Sequence, residues 1–203
     1  TKFTIDGLET TLHLPGDYNY QNALGVIALA KKLGIPAQKI KEGLEAVSAM
    51  SGRMEVKEAL LKSGVKATII CDCYNANPDS MKRVIEFCSQ VKTEGKKIFV
   101  LGDMKELGEK AFEAHKEIGQ LVSASDADLL ILAGSEMKAA CEAASDAKKL
   151  TVKYFENNDE NFFKAASELI QDNAGSGSVI LIKGSHSMEL EKLIPMLVKE
   201  GEQ

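Results

Sequence analysis

A run of side chains able to accept or donate hydrogen bonds, Asp72-Cys73-Tyr74-Asn75-Ala76-Asn77-Pro78-Asp79-Ser80, follows directly on the apolar stretch Val65 to Cys71. A carboxylate is a strong acceptor for a diol or an amine, and amide side chains offer both donors and acceptors. The β-branched composition of residues 65–71 predicts a strand covered on both faces. Asn77-Pro78 then has the order of an N-cap followed by proline at the first helical position, and Asp79 complements the positive helix end. Asp72, Tyr74, Asn75 and Asn77 therefore crowd the carboxyl end of a strand, where open α/β sheets bind ligands. The alternative is that Asp72 and the asparagines only satisfy backbone groups in a tight turn, and the local pattern leaves both open.

Two further stretches have the makings of a site. Lys183-Gly184-Ser185 sets a cation and a flexible backbone just ahead of a helical pattern, suited to a carboxylate or phosphate, or else a lysine merely solvated at a strand end. His186 follows at the helix start, where a neutral ring could contact a ligand. Gly102 to Gly108 has two acids, Asp103 and Glu106, that could hold a metal or an amine, although a solvated loop is the stronger local reading. His115, with Ala111 and Ile118 on nearby turns, reads as a packed or capping histidine rather than a base, and His13 as a surface residue. Cys71, Cys73, Cys88 and Cys141 show neither a CxxC pair nor histidines at zinc-finger spacing, so reduced thiols and no metal site are expected.

The elements that must position these residues alternate. Residues 54–60 and 65–71 read as a hairpin whose first arm is polar enough for a sheet edge. Helix and strand patterns then follow in turn: helix 79–93, strand 97–101, helix 109–123, strand 128–132, helix 135–146, strand 152–155, helix 159–172, strand 178–182, helix 187–199. This predicts a mostly parallel six-stranded α/β sheet with helices on both faces and one antiparallel edge strand. Asn157 with Glu160 fits a capping box, and Gly134-Ser135 precedes a helix in the same manner. Ahead of a boundary near residue 51 lie a hairpin around Asp6-Gly7, a break at Pro15-Gly16-Asp17, a helix from Asn22 to Leu33 with Leu24, Ile27, Ala28 and Leu33 on one face, and a helix from Ala37 to Val47. These first 50 residues are too few for a good core of their own, and the chain begins at Thr1 without methionine, so a piece of a longer protein is expected.

At 203 residues and 44% hydrophobic composition the chain has ample material for a packed core. A net charge of −5 argues against a general nucleic-acid or anionic-membrane surface. No apolar run reaches the roughly 20 residues of a membrane span, and a cytoplasmic location is expected. There is no GxGxxG turn after a strand, which weakens a nicotinamide-dehydrogenase reading, and no GxxxxGK[ST] loop for ATP turnover.

Taken in order, Leu14-Pro15-Gly16-Asp17-Tyr18-Asn19-Tyr20-Gln21-Asn22-Ala23-Leu24, Gly52-Arg53-Met54-Glu55, Asp72 to Met81, Leu101 to Glu109 and Lys183-Gly184-Ser185 resemble the Mur ligases of peptidoglycan synthesis. The resemblance implies the C-terminal part of an ATP- and Mg²⁺-dependent amide ligase, most similar to the branch that adds D-Ala-D-Ala to UDP-MurNAc-tripeptide through an acyl phosphate. It implies that residues 1–50 are the tail of the central ATP-binding domain, that 51–203 are the Rossmann-like C-terminal ligase domain, and that the fragment alone is inactive. ATP and Mg²⁺ would be held mainly by the part not present, with no catalytic residue in this stretch, and a monomer is expected. Asn19 and Asn22 match the family's paired asparagines, Asn22 near the adenine; Arg53 matches the linker arginine that reaches phosphates or ribose; Asp72 matches the acceptor for the ribose hydroxyls. Tyr74, Asn75, Asn77, Ser80, Lys183, Ser185 and His186 would face the incoming dipeptide. Tyr18 stands where the family usually has His, and His186 where it usually has Arg. Another Mur or folylpolyglutamate-type ligase domain, or a free-standing flavodoxin-like binding module, are the rival readings.

Overall fold

The computed structural model describes residues 1–14, 16–48, 50–145 and 147–199; the side chains of Asp17 and Tyr18, and with them the Tyr18 departure, lie outside the described residues, as does Pro15. The chain divides into two compact units, Thr1–Met50 and Ser51–Gln203.

In the first unit β1 (Lys2–Ile5) and β2 (Leu8–Thr11) pair antiparallel. Asp6 and Gly7 both take positive φ, 48° and 85°, the backbone a two-residue hairpin needs to match the strand twist. The helices are α1 (Asp17–Lys32) and α2 (Ala37–Glu45). A small core joins Ile5, Leu12, Ala23, Ile27, Ala30, Ile40 and Leu44, so the unit has more of its own interior than its length suggested. Helix α1 starts at Asp17 and not at Asn22, because its first turn is polar and shows no apolar periodicity. Its buried stripe is Ala23, Ile27 and Ala30, while Leu24, Ala28 and Leu33 are exposed, against the expected face. Val26 and Leu29 are exposed as well, and a helix apolar on several sides gives its pattern no face to choose.

The second unit carries β3 (Glu55–Leu60), β4 (Lys66–Asp72), α3 (Pro78–Gln90), β5 (Lys97–Gly102), α4 (Ala111–Ser123), β6 (Leu129–Ala133), α5 (Met137–Ala144), β7 (Thr151–Phe155), α6 (Glu160–Asn173), β8 (Ser178–Lys183) and α7 (Leu193–Leu197). They form a six-stranded sheet in the order β3-β4-β8-β5-β6-β7, antiparallel only at β3. The chain is thus α/β with the mostly parallel sheet its alternation predicted. Strands β5, β6 and β8 are buried at every position, which is why they read as unbroken apolar runs. One set of alternate residues, including Cys71, Val100, Ile131 and Ile182, packs with Phe162, Ala166 and Ile170 of α6 and with Leu193 and Leu197 of α7. The other set, Ile70, Phe99, Leu130 and Leu181 among them, is buried beneath α3, α4 and α5, which pack side by side. Each such side chain stabilises by about 1.5–3 kcal/mol relative to exposure.

The route through the sheet creates the crevice. From β4 the chain steps over to β5, β6 and β7 with helices on one face, then returns through α6 on the other face and inserts β8 between β4 and β5. The loops after β4 and β8 therefore leave in opposite directions, the topology that places a ligand crevice at the carboxyl ends of an open sheet.

Helix α3 starts as its sequence suggests. Asn77 Oδ1 accepts from the Ser80 N–H at 2.8 Å and Ser80 Oγ accepts from the Asn77 N–H at 3.1 Å, with Pro78 opening the helix. Asn77→Ala should cost about 1 kcal/mol in urea unfolding, as loss of an N-cap usually does; no change would mean that Pro78 alone fixes the start. One other cap and one helix differ from expectation. Asp159, not Asn157, caps α6 by accepting from the Phe162 N–H at 3.1 Å. The segment 187–199 is not one helix but two 3-10 turns, His186–Met188 and Leu190–Lys192, with Glu189 at φ 48° between them, then α7. This break lets Met188 and Leu190 settle over the strand ends: a Cβ on Gly184 would come within 2.9 Å of Leu190.

Candidate functional site

The rim of the cleft is built by three strand ends. Asp72 closes β4 opposite Lys183 of β8, and Lys183 lies in register with Leu101 of β5 on its other side. Lys183 Nζ donates to Asp72 Oδ2 at 2.5 Å and to the Asn75 carbonyl at 2.9 Å. Asp72 Oδ1 accepts from the Met54 N–H at 3.0 Å. The lysine side chain is 1% exposed and the aspartate 15%, so this ion pair sits at low local dielectric and fixes the loop that follows β4. Two consequences follow for the expected ligand contacts. Lys183 is committed to holding the loop and has one of its three protons left. Asp72 keeps acceptor capacity, because an ionised carboxylate has about four lone-pair sites.

Above the pair, exposed rings line up. The Arg53 guanidinium lies 3.9 Å from the centre of the Tyr74 ring, and the His186 ring lies 5.7 Å from Tyr74 on a tilted plane. A cation over a tyrosine face is held by the ring quadrupole. Tyr74 itself is 50% exposed, so the stack presents an aromatic and cationic ledge to solvent. Gly52 accepts the Tyr74 N–H at 2.9 Å through its carbonyl, which ties the Arg53 turn to the loop after β4.

A second acid–lysine pair lies at the end of β5, and here the solvated-loop expectation is corrected. Asp103 is 1% exposed. Its Oδ2 accepts from Lys105 Nζ at 2.7 Å and its Oδ1 from the Met137 N–H at 3.0 Å. Helix α5 has no capping side chain of its own, so the carboxylate of another strand's loop serves as its anion, in place of a Gly134-Ser135 cap. The loop is also tied to β8: the Asp103 carbonyl accepts from the Ser185 N–H at 3.0 Å, and Ser185 Oγ accepts from the Lys105 N–H at 2.9 Å. From the other side His115 of α4 closes it, as the packed histidine its position suggested. Its Nε2 accepts from the Met104 N–H at 2.9 Å, so Nδ1 carries the proton and donates to the Ala111 carbonyl at 2.7 Å. The ring is neutral in this arrangement.

The structure thus gathers Arg53, Asp72, Tyr74, Asn75, Lys183, Ser185 and His186 at one rim of the second unit. Asn77 and Ser80 stand at the start of α3 with their side chains engaged in the helix cap. Asn19 and Asn22 belong to the first unit, one turn apart on α1, with Asn22 Nδ2 3.5 Å from Asn19 Oδ1. Asp103 and Lys105 were underrated from the sequence: nothing local told a buried cap for a distant helix from a loop acid. Met104, an apolar residue inside a charged loop, was the one signal; it is 1% exposed.

A doubly wound α/β unit with paired charges and an open aromatic ledge at its switch point has the layout in which open sheets of this class bind ligands. The chain belongs to the Mur ligase family: residues 52–186 match the family described as Mur ligase, glutamate ligase domain. Among its relatives, the UDP-N-acetylmuramoyl-tripeptide--D-alanyl-D-alanine ligase of Treponema pallidum is 40% identical over 187 residues, covering 92% of this chain and 38% of that protein. The crystal structure of MurF from Acinetobacter baumannii superposes with a TM-score of 0.77 at 30% identity, over 93% of this chain and 39% of that one. The MurF ligase of Thermotoga maritima, solved in complex with ADP, shares the fold at TM-score 0.72 and 24% identity, over 96% and 42%. The chain accordingly spans about two fifths of the length of the curated relatives it matches.

Proposed function

We propose that this chain is the C-terminal part of an ATP-dependent ligase that adds D-Ala-D-Ala to UDP-MurNAc-tripeptide in peptidoglycan synthesis, acting in the cytoplasm within a monomeric enzyme. The observation that carries this reading is the family match over residues 52–186, joined to a rim where Arg53 and Asp72 stand at the switch point. In this reading Thr1 to Met50 closes the central ATP-binding domain, with Asn19 and Asn22 toward adenine, and the rest is the ligase domain. The γ-phosphoryl of ATP passes to the tripeptide's terminal carboxylate, giving an acyl phosphate and ADP; the dipeptide amine then attacks the acyl carbon and phosphate leaves.

Each residue's part follows from its surroundings. The free edge of Arg53 offsets phosphate charge while the ring of Tyr74 supports its face. Asp72 accepts from ribose hydroxyls with the lone pairs that Lys183 and Met54 leave open. Tyr74, Asn75 and His186, all exposed, meet the dipeptide. Lys183, Ser185, Asn77 and Ser80 are positioning residues that hold those loops in shape. Mg²⁺ does not fit these side chains: among the described residues no group of three or more His, Cys, Asp or Glu is placed to hold a metal, and Asp72 and Asp103 are each matched by a lysine. In this reading its phosphate-bound role falls to the rest of the enzyme.

The test uses the full-length enzyme. Phosphate release should require ATP, UDP-MurNAc-tripeptide and D-Ala-D-Ala together. Arg53→Ala should lower kcat/KM for ATP by about 10–100-fold, the worth of a charge-assisted hydrogen bond, with circular dichroism unchanged. Release without the dipeptide, or an Arg53→Ala enzyme with unaltered ATP kinetics, would overturn the assignment.

A further inference from the structure

Two thiols flank Asp72 at the end of β4, one on the strand and one just past it, and the ligase reading uses neither. Cys71 and Cys73 are two residues apart and point to the same face, opposite the Asp72 carboxylate between them. Their sulfurs lie 3.4 Å apart, and Cys73 Sγ is 3.3 Å from the Ile182 carbonyl of β8. Both residues are buried, yet Cys71 forms part of the wall of a hollow of about 200 Å³ between the β3–β4 hairpin and α7, walled also by Glu55, Lys57, Ile194, Pro195 and Val198. One of the two cysteines therefore borders a small hollow, and the sulfur of the second lies 3.4 Å from its own.

The pair is also electronically unequal. Cys73 is able to hydrogen-bond a Cys71 thiolate, which holds the Cys71 thiol below its ordinary range, and the same bond together with burial pushes Cys73 up. The thiolate is the attacking species in exchange, so Cys71 is the nucleophile of the two. Cys88, buried on α3, has its thiol pushed up to about 12 by burial and is the inert contrast.

We propose that Cys71 and Cys73 form a thiol–disulfide exchange site, entered through the hollow beside α7, that takes a small aliphatic disulfide as its oxidant. The Cys71 thiolate attacks one sulfur of RSSR, forming a mixed disulfide and expelling RS⁻. With Cys71 capped, the bond that held the Cys73 thiol up is gone, and the Cys73 sulfur attacks Cys71 Sγ as it gives up its proton, expelling the second RS⁻. The two thiol protons go to the leaving groups, so RSSR is reduced to two RSH as the protein pair loses two electrons. An extended strand sets residues i and i+2 about 6.6 Å apart at its usual rise. Disulfides most often span Cα separations of about 5.5–6 Å and need the sulfurs, now 3.4 Å apart, to come to about 2.05 Å, so closure draws in the end of β4 and disturbs Asp72, the residue enclosed. Oxidation thereby acts on the rim through the Asp72 contacts to Lys183 and Met54.

The experiment incubates this chain with 2-hydroxyethyl disulfide, quenches with acid, counts free thiols in denaturant and maps the peptides by mass. Of the four free cysteines, two should disappear as a single Cys71–Cys73 link lighter by two hydrogens, and dithiothreitol should restore them. Cys73→Ser should stop at a mixed disulfide on Cys71, and Cys141→Ser should behave as the parent. Faster amide hydrogen exchange at Met54 should accompany closure. Persistence of all four thiols, loss mapped to Cys88 or Cys141, or unmodified Cys71 in the Cys73→Ser protein would overturn the proposal; the parent's peptide map decides even if a variant fails to fold.

Discussion

Lys183→Ala is expected to lower the unfolding free energy by about 3–5 kcal/mol, the usual effect of removing one partner from a buried ion pair. The reason is the state of what remains. The Asp72 carboxylate, only 15% exposed, would be left with the Met54 N–H as its hydrogen-bond partner among the described residues, while the Asn75 carbonyl would lose its donor. A cavity the size of a lysine stem would open beside β8 as well. Urea titration of the parent and the variant measures the difference directly. A Lys183→Met, Asp72→Asn double variant should recover most of the loss, since it removes both charges and keeps the volume. A fall below about 1 kcal/mol in the single variant would mean that water reaches the pair and that the loop after β4 is held by something else.

That prediction could not have come from the sequence, and the reason is physical. The order of strands and helices was legible because the central strands are buried on both faces and the helices on one, two patterns that composition records. The rim was legible for the same reason: alternation fixes which loops share the carboxyl edge. Pairing across the sheet is not recorded locally. Asp72 and Lys183 are separated by 111 positions, and only the insertion of β8 between β4 and β5 makes them neighbours. Lys183 therefore read as a cation open to a ligand or merely to solvent, when its charge is already matched. The same limit hid Asp103, whose hydrogen bond to the start of α5 spans 34 positions. It also misplaced the end of the chain, where the apolar spacing of Met188, Leu190 and Leu193 reads as a helix but serves a broken path over two glycines. Helix α1 failed differently: with apolar residues on several sides, its pattern permits more than one buried face, and Ala23, Ile27 and Ala30 make the one that packs.

Gly134→Ala carries the second large effect, about 3 kcal/mol or more, although it adds one methyl group. Gly134 lies at φ 112°, a backbone region that residues with a Cβ rarely enter, and strain of that kind costs about 1–3 kcal/mol. Its Cβ would also stand 2.3 Å from the Asp103 carboxylate, a separation no packed side chain tolerates. That carboxylate cannot move aside without releasing the Met137 N–H at the start of α5 and the Lys105 ammonium together. The two contributions separate in a double-mutant cycle. An Asp103→Ala background removes the carboxylate atoms that the added methyl would strike, so the Gly134→Ala cost should fall toward the backbone strain, and the coupling between the positions should exceed about 1 kcal/mol. Gly175→Ala, with nothing within 4 Å and no positive φ, is the matched control and should change stability little. Equal costs for Gly134→Ala in both backgrounds would show that the glycine is there for its φ only, and that the carboxylate has room to retreat while still capping α5.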